Sequence, residues 1–337
     1  MKVFVTGATG VIGWELAKAL AESGYEVVAY GRSIPAALHH PGVSWIKGDL
    51  LQKQKLLFSM EHCDQVYHLA AHAALHAIDD RVFFETNVQG TINVLEAAKA
   101  VGVSRVCFTG TCGILGPYEG RLLTEDDVQT GPFLTSYDLS KFMAEQKVME
   151  YVMEGLDAVI VRVSRVFGPA QMRHSNPLTR MIKKMLPLPY MLIPGSPAAV
   201  NNYAYIKDVV SGHIHAMHYG LTGEKYILGG HNISYQNLFE TIEAVTGRRR
   251  RLIRIPDYML KLMIRLEGVR AAMAHKAPVC KLSDLPRLSA SRPLSVAKSV
   301  SQIHYQVTPF ETAIAETIAF LTNKSAANVQ ATSVHAL

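Results

Sequence analysis

Long apolar runs are missing from this chain. No stretch approaches the ~20 consecutive apolar residues that a membrane span needs, so no span is expected. Cysteine is scarce: Cys63, Cys107, Cys112 and Cys280 form no CxxC pair and no metal-like spacing. That pattern fits reduced, mostly buried thiols of a cytoplasmic protein. No charged segment, apolar segment and cleavage site precede the run KVFVTG, so no signal peptide is expected. The histidines lack a metal motif. His72 and His76 stand at i and i+4 without a third ligand, and His213 and His215, at i and i+2, would diverge on a helix. No metal is expected, and no internal repeat is found.

What the chain does have is material for a core. Of its 337 residues 49% are hydrophobic and 18% charged, a globular composition sufficient for one large domain or two smaller ones. The net charge of +6 is uneven. Residues 1–244 hold 20 Lys/Arg and 23 Asp/Glu, a net of −3, whereas residues 245–337 hold 14 and 5, a net of +9. The basic end includes GRRRRLIR at 247–254. Nucleic acid or an anionic membrane face is conceivable there. Without aromatic interleaving or a binding motif, the run reads as a solvated basic rim, and no nucleic-acid partner is expected.

The first half alternates β-rich runs with helical patterns. Strands are expected at 2–7, 25–30, 44–49, 64–70, 103–110 and 157–163. Helices are expected over 11–23, ending at Gly24, over 80–101, ending at Gly102, and over 137–154. Such alternation means right-handed βαβ units and an α/β fold with a doubly wound parallel sheet. After Gly168-Pro169 the texture changes to the Pro/Met/Leu-rich MLPLPYMLIPGSP (185–197) and to short elements. The expected division is a dinucleotide-binding domain over 1–168, to which 201–220 returns. A smaller interleaved substrate-binding lobe covers 169–322, and the small, polar 323–337 forms a flexible tail.

TGATGVIG (6–13) follows the first strand and opens the first helix, with Gly7, Gly10 and Gly13 at G-x-x-G-x-x-G spacing. Backbone without Cβ lets a pyrophosphate approach the helix N-terminus, where free N–H groups and the dipole favour an anion. Gly7, Thr9, Gly10, Val11, Ile12 and Gly13 are therefore expected to bind a dinucleotide. NAD sites place an acid at the end of the second strand for the ribose 2′-hydroxyl. Here that end reads AYGRS, with Arg32 and no acid. A guanidinium matches a 2′-phosphate, so NADP(H) is expected over NAD(H).

TGATGVIG, GDL (48–50), HLAA (68–71), NVQGTINVLEAA (87–98), Tyr137-x-x-x-Lys141, RVSRVFGP (162–169) and YAYIKDVV (203–210) stand in series. Together they resemble an extended short-chain dehydrogenase/reductase, over roughly residues 1–250. The closest flavour is the dihydroflavonol-reductase-like group with its 3β-hydroxysteroid-dehydrogenase relatives. GEKYILGGHNISYQNLFETIEAVTGR (223–248) resembles that group's C-terminal lobe. The resemblance implies a Rossmann-type sheet and a catalytic set of Thr111, Tyr137 and Lys141. Tyr137 would be general acid in reduction and general base in oxidation. Lys141, one turn on, would favour the phenolate and bond the nicotinamide ribose. Thr111, five residues before Gly116, would orient the substrate oxygen. Gly110 before it departs from the usual Ser/Thr and would widen the pocket. Asp49 and Leu50 would meet the adenine, Ala70 and Ala71 would line the cofactor, and Asn87 would be a structural hydrogen bonder. A homodimer, built on the helices at 80–101 and 137–154, is likewise implied only by the resemblance.

Sugar-nucleotide epimerases and dehydratases share these motifs and are the alternative reading. They add a grip on a diphosphate and, in dehydratases, acids after the Ser/Thr. Here Cys112 and Gly113 follow Thr111, Arg165 stands where such enzymes often carry Asn, and no Arg precedes the Asp-Val of YAYIKDVV. Cys112, Gly113, Arg165 and Arg173 are weak candidates for substrate contacts. The Met/Leu-rich 185–197 and PDYMLKLMIRL (256–266) suggest an apolar pocket wall, though core packing or a dimer interface explains such stripes equally well. The expected function is thus an NADPH-dependent reductase of a mid-sized, rather apolar ketone or aldehyde. A non-catalytic dinucleotide sensor is a third reading, opposed by the retained Thr111, Tyr137 and Lys141.

Overall fold

The computed structural model describes residues 1–116, 120–170, 176–285 and 290–334, with backbone alone for Pro194 and for 324–334. Among these residues twelve strands follow one another: β1 (Lys2–Thr6), β2 (Glu26–Gly31), β3 (Val43–Lys47), β4 (Gln65–His68), β5 (Arg105–Thr111), β6 (Ala158–Val163), β7 (Arg165–Phe167), β8 (Tyr190–Pro194), β9 (Val200–Tyr205), β10 (Lys225–Leu228), β11 (His231–Ser234) and β12 (Arg251–Ile255). Seven of them build one parallel sheet in the order β10-β6-β5-β4-β1-β2-β3.

The strands of this sheet are apolar because both faces are covered. β4 and β6 are buried at every residue. Side chains alternate between two cores, as a period of two demands. Val3, Val5, Val27, Ala29, Val159 and Val161 face one core. Phe4, Val28, Tyr30, Val106, Phe108 and Ile160 face the other. Helices Val11–Glu22 and Ile206–Tyr219 cover the first face, and Lys53–Met60, Gly90–Val101 and Ser136–Met153 cover the second. Strand order reverses direction at the β1–β4 boundary, and open α/β sheets bind ligands at the carboxyl ends of the strands there.

Three differences from the sequence expectation matter. First, the helix expected over 80–101 changes register. It is α-helical at Arg81–Phe83, π-helical at Phe84–Gln89 and α-helical again at Gly90–Val101. The widened turn carries buried Asn87, whose Oδ1 accepts the His72 N–H at 2.7 Å and whose Nδ2 donates to Ser140 Oγ at 2.9 Å. Such insertions concentrate at functional sites. Second, the main sheet also takes β10 from residues 225–228, outside the segments expected to form it. Third, the final helix, Phe310–Val334, carries helical backbone through most of the segment expected as a tail.

The remaining elements form a smaller lobe. β9 pairs antiparallel with β11 and parallel with β7, and β8 pairs parallel with β12. The helix Pro177–Met185 begins where the Asn176 side chain accepts the Thr179 N–H and Pro177 fills the first position. Met185, Met191 and Ile193 belong to the main core, whereas Leu188, Tyr190 and Leu192 are exposed.

One ion pair lies wholly inside. Arg162 on β6 and Glu145 on the helix Ser136–Met153 are each 1% exposed in their side chains, and Arg162 Nε donates to Glu145 Oε2 at 3.0 Å. Arg162 also donates to the Glu125 carbonyl, while Glu125 Oε1 accepts the Ile227 N–H at 2.8 Å. Gly110 faces this pair. A Cβ there would stand 3.3 Å from Glu145 Oε2 and 3.4 Å from Arg162 Cγ. The expectation that Gly110 widens a substrate pocket is therefore corrected: its missing side chain makes room for a buried ion pair. Arg162→Met leaves Glu145 buried and unpaired, and urea denaturation should show a loss of about 3–5 kcal/mol.

Candidate active site

The first requirement of a dinucleotide site is a backbone that comes close, and two glycines supply it. Gly7 has φ +74°, and a Cβ on it would lie 2.6 Å from Ala70 N. A Cβ on Gly13 would lie 2.3 Å from Gly7 O. The helix Val11–Glu22 starts at Gly10 without a side-chain cap, so its first N–H groups point free into the crevice. A cleft of about 410 Å³ runs from this turn across the sheet's carboxyl end. Gly7, Thr9, Gly10, Val11, Ile12, Gly13, Arg32, Asp49, Leu50, Ala70 and Ala71 all line it. The glycine cradle thus fits the pyrophosphate of a dinucleotide.

At one end of the cleft Arg32 is exposed, and among the described residues no carboxylate pairs with it. Asp49 is held by its backbone: Tyr30 donates its hydroxyl to the Asp49 carbonyl at 3.0 Å, and Asp49 Oδ1 accepts the Leu51 N–H at 3.0 Å. Val82, Glu85 and Thr86 also line the cleft. Sequence reasoning missed these three: Val82 lies in the α-helical turn Arg81–Phe83, and the π-helical turn that presents Glu85 and Thr86 leaves no signal in hydrophobic spacing.

Tyr137 and Lys141 stand on the helix Ser136–Met153. Thr135 caps it, its Oγ1 accepting the Asp138 N–H at 3.1 Å. The helix turns Asp138, Ser140, Lys141, Ala144, Glu145 and Val148 inward. The partly buried Tyr137 ring meets Phe83 edge-on, with centroids 6.4 Å apart, beside the cleft-lining Val82. Lys141 is 3% exposed, with Nζ 4.2 Å from the Phe108 ring centroid. Phe108 precedes Thr109, which lines the cleft. Burial lowers the Lys141 pKa to about 7, while the charge of Glu145 opposes that shift. His68, bonded to Thr6 Oγ1 at 2.7 Å and Thr91 Oγ1 at 2.9 Å, is kept neutral by burial and by Lys141, its pKa lowered to about 3.

Thr111 ends β5. Its Oγ1 accepts the Gly113 N–H at 3.0 Å, and Gly113 packs so closely on Asp138 that a Cβ there would lie 2.2 Å from Asp138 Oδ1. The turn after β5 therefore abuts the start of the Tyr137 helix. Thr111, Cys112, Gly113 and Arg165 share a second cavity of about 150 Å³ with Ser164, Asn201, Asn202 and Arg292. Asn201 is 1% exposed, and among the described residues neither of its side-chain polar atoms has a partner, nor does Ser164 Oγ. Buried polar groups without partners are rare, so this cavity is built for a polar guest. Arg292 donates to the Gly113 carbonyl at 3.2 Å. Asn201 and Asn202 stand just before YAYIKDVV (203–210), outside the residues expected to form the site, and nothing local marks Arg292. Arg173 lies outside the described residues. Neither 185–197 nor 256–266 lines either cavity. Met185 and Met191 instead line a separate cavity of about 230 Å³ with Phe239, Ile242 and Leu252, so the expected apolar wall stands away from Thr111, and it is corrected for 256–266, where most apolar residues face solvent.

The low Lys141 pKa has a consequence for stability. Between about pH 7 and the ordinary lysine range the unfolded chain holds a proton that the folded chain lacks. Stability of the cofactor-free protein should therefore rise with pH across that window, by up to roughly 1.4 kcal/mol per unit. Below about pH 7 both states are protonated and the full cost of the buried charge remains. Denaturation midpoints of the wild type and Lys141→Met, followed from neutral to alkaline pH, should diverge most at the neutral end, with the variant the more stable.

Comparison with known proteins gives three informative likenesses. A protein of Synechocystis provisionally named dihydroflavonol 4-reductase is 28% identical over 335 residues, covering 95% of this chain and 94% of its own. The 2-alkyl-3-oxoalkanoate reductase of Stenotrophomonas maltophilia is 35% identical over 174 residues, covering 50% and 52%. The UDP-glucuronic acid 4-epimerase of Bacillus cereus, solved in complex with NAD, superposes with a TM-score of 0.77 at 22% identity over 96% of this chain and 99% of that one, a likeness of fold. The model of the NAD dependent epimerase/dehydratase family matches residues 3–229. With its glycine turn, its parallel sheet and this match over most of its length, the chain belongs to the NAD dependent epimerase/dehydratase family of enzymes, the extended short-chain dehydrogenase/reductases.

Proposed function

We propose that the chain is an NADPH-dependent reductase of a ketone or aldehyde, working in reverse as a secondary-alcohol dehydrogenase. One observation supports this reading: the Gly113–Asp138 contact sets the turn after Thr111 against the start of the helix that carries Tyr137 and buried Lys141. When bound, the dinucleotide supplies the hydride. Tyr137 supplies the proton to the carbonyl oxygen, and Thr111 Oγ1 donates a hydrogen bond that orients that oxygen. Lys141 favours the phenolate that remains. The ordered arrangement Asn87–Ser140 holds the helix that carries both. Cys112, next to Thr111, offers no ready acid–base group, because it is buried and that burial raises its thiol pKa. The Synechocystis and Stenotrophomonas relatives are both named as reductases.

The cofactor preference rests on Arg32, exposed at the cleft end where an acid would select the 2′-hydroxyl. The small cavity takes the polar end of the substrate, next to Thr111. A second reading, turnover of a sugar nucleotide, is favoured by one observation, the presence of both Arg165 and Arg292 in that cavity, since a diphosphate requires such cations.

Three outcomes check these readings. Tyr137→Phe should lower kcat for carbonyl reduction by on the order of 10²-fold or more with little change in NADPH affinity; unchanged turnover removes the phenol from the mechanism. Arg32→Ser should weaken NADPH relative to NADH by on the order of tenfold, measured as the ratio of kcat/KM values. Retention of tightly bound NAD through purification, together with turnover of UDP-sugars and no NADPH oxidation with any carbonyl compound, would establish the second reading instead.

A further inference from the structure

The helix Asp257–Met273 carries apolar residues on two sides. Leu260, Ile264 and Ala271 are buried, the first two packing with Ile255. Met259, Leu262, Met263, Leu266, Val269 and Met273 are all exposed, Leu262 at 55%, Leu266 at 61% and Met273 at 80%. At ~100° per residue these six fall within an arc of ~120°, on the side away from the buried residues. Arg270 alone interrupts the arc. It pairs with Glu267 at 3.3 Å and has a stem long enough to lift its charge clear. The surface extends onto the adjacent ribbon, where Leu192 and Ile253 are register partners, both exposed, on the ribbon side that carries Ile255.

The charge around this surface has one sign. Residues 248–285 hold ten Lys/Arg against three Asp/Glu. Arg249, Arg251, Arg254, Lys261 and Arg265 are exposed, and all three acids are engaged, Asp257 with Arg254 at 3.6 Å, Glu267 with Arg270 at 3.3 Å and Asp284 with His76 at 2.7 Å. The basic rim that reads as merely solvated from sequence thus encloses an unpartnered apolar stripe.

We propose that this face is a docking surface for an anionic lipid bilayer, with the helix lying in the plane of the headgroups. A helix with an exposed apolar stripe and Lys/Arg flanks is the form that inserts at such an interface, and anionic lipids attract each added basic residue. A second copy of the chain is the poorer occupant, because a self-complementary contact would bring two basic rims together. No described helix is long and apolar enough to cross a membrane, so the association is peripheral. The buried His76–Asp284 contact fastens this segment to the loop bearing Ala73 of the cofactor cleft. The proposal does not depend on which reaction the cleft performs.

The test is flotation of the full chain with vesicles. Binding is expected to vesicles of phosphatidylcholine and phosphatidylglycerol in equal parts, and should fall by on the order of tenfold with phosphatidylcholine alone or at high salt. Leu262→Ser/Leu266→Ser should reduce binding to the anionic vesicles by a similar factor while NADPH affinity and thermal midpoint stay unchanged. Arg249→Gln/Arg251→Gln should weaken only the anionic component. Failure of the wild type to float with anionic vesicles overturns the proposal. So does a concentration-dependent dimer that the leucine double variant dissociates and that binds no vesicles.

Discussion

Two backbones meet at the carboxyl end of the sheet with no room for a side chain between them. Gly7 lies against Leu69 and Ala70, and Gly13 lies against Gly7. This contact draws the helix N-terminus over the gap between β1 and β4, where the strand order turns. The crevice it creates is lined by bare N–H groups, whose dipoles attract an anion. Everything that could act on a bound dinucleotide is positioned relative to that contact: Arg32 at the end of β2, the π-helical turn at Phe84–Gln89, and the end of β5.

Buried charge is the second organising feature, and it is handled in two ways. Arg162 and Glu145 face each other inside the protein, and Gly110 leaves them space. Their mutual attraction and hydrogen bonds offset the desolvation of both. Lys141, one helical turn before Glu145, has no such pairing among the described residues and rests on the face of Phe108. Its ammonium is therefore easily lost in the cofactor-free protein. Under the proposed mechanism, hydrogen bonds from ribose hydroxyls and a neighbouring phenolate would restore it and so tie its charge to occupancy of the cleft. The cost lies on the folding side, as burial of any unpaired lysine requires.

The lobe beyond Gly168 contrasts with the sheet. The cavity beside Thr111, which the lobe shares with residues 111–113 and 163–165, is small and polar, with Asn201 and Ser164 lacking partners among the described residues and two arginines on the wall. Its apolar residues instead divide between the main core and the solvent-facing side of the helix Asp257–Met273. The proposed grip on a polar substrate end and the proposed affinity for a bilayer thus fall to different parts of the molecule.

Local sequence was enough to determine the sheet strands up to β6, the glycine turn, Arg32 without an acid, and the Tyr137/Lys141 helix, because each rests on short-range rules of periodicity, turn geometry and residue chemistry. Every candidate named for the turn lines the cleft, and Thr111, Cys112, Gly113 and Arg165 line the cavity beside it, whereas Tyr137 and Lys141 line neither. What only the tertiary structure decided depends on groups distant in the chain. Arg292 reaches Gly113 across 179 positions, Gly110 answers to a pair on two other elements, and the register of the helix around Asn87 is set by His72 and Ser140. Whether a Met/Leu stripe is core, pocket or open surface likewise turns on which neighbours arrive. A hydrophobic pattern states that a face is apolar and carries no information about what covers it.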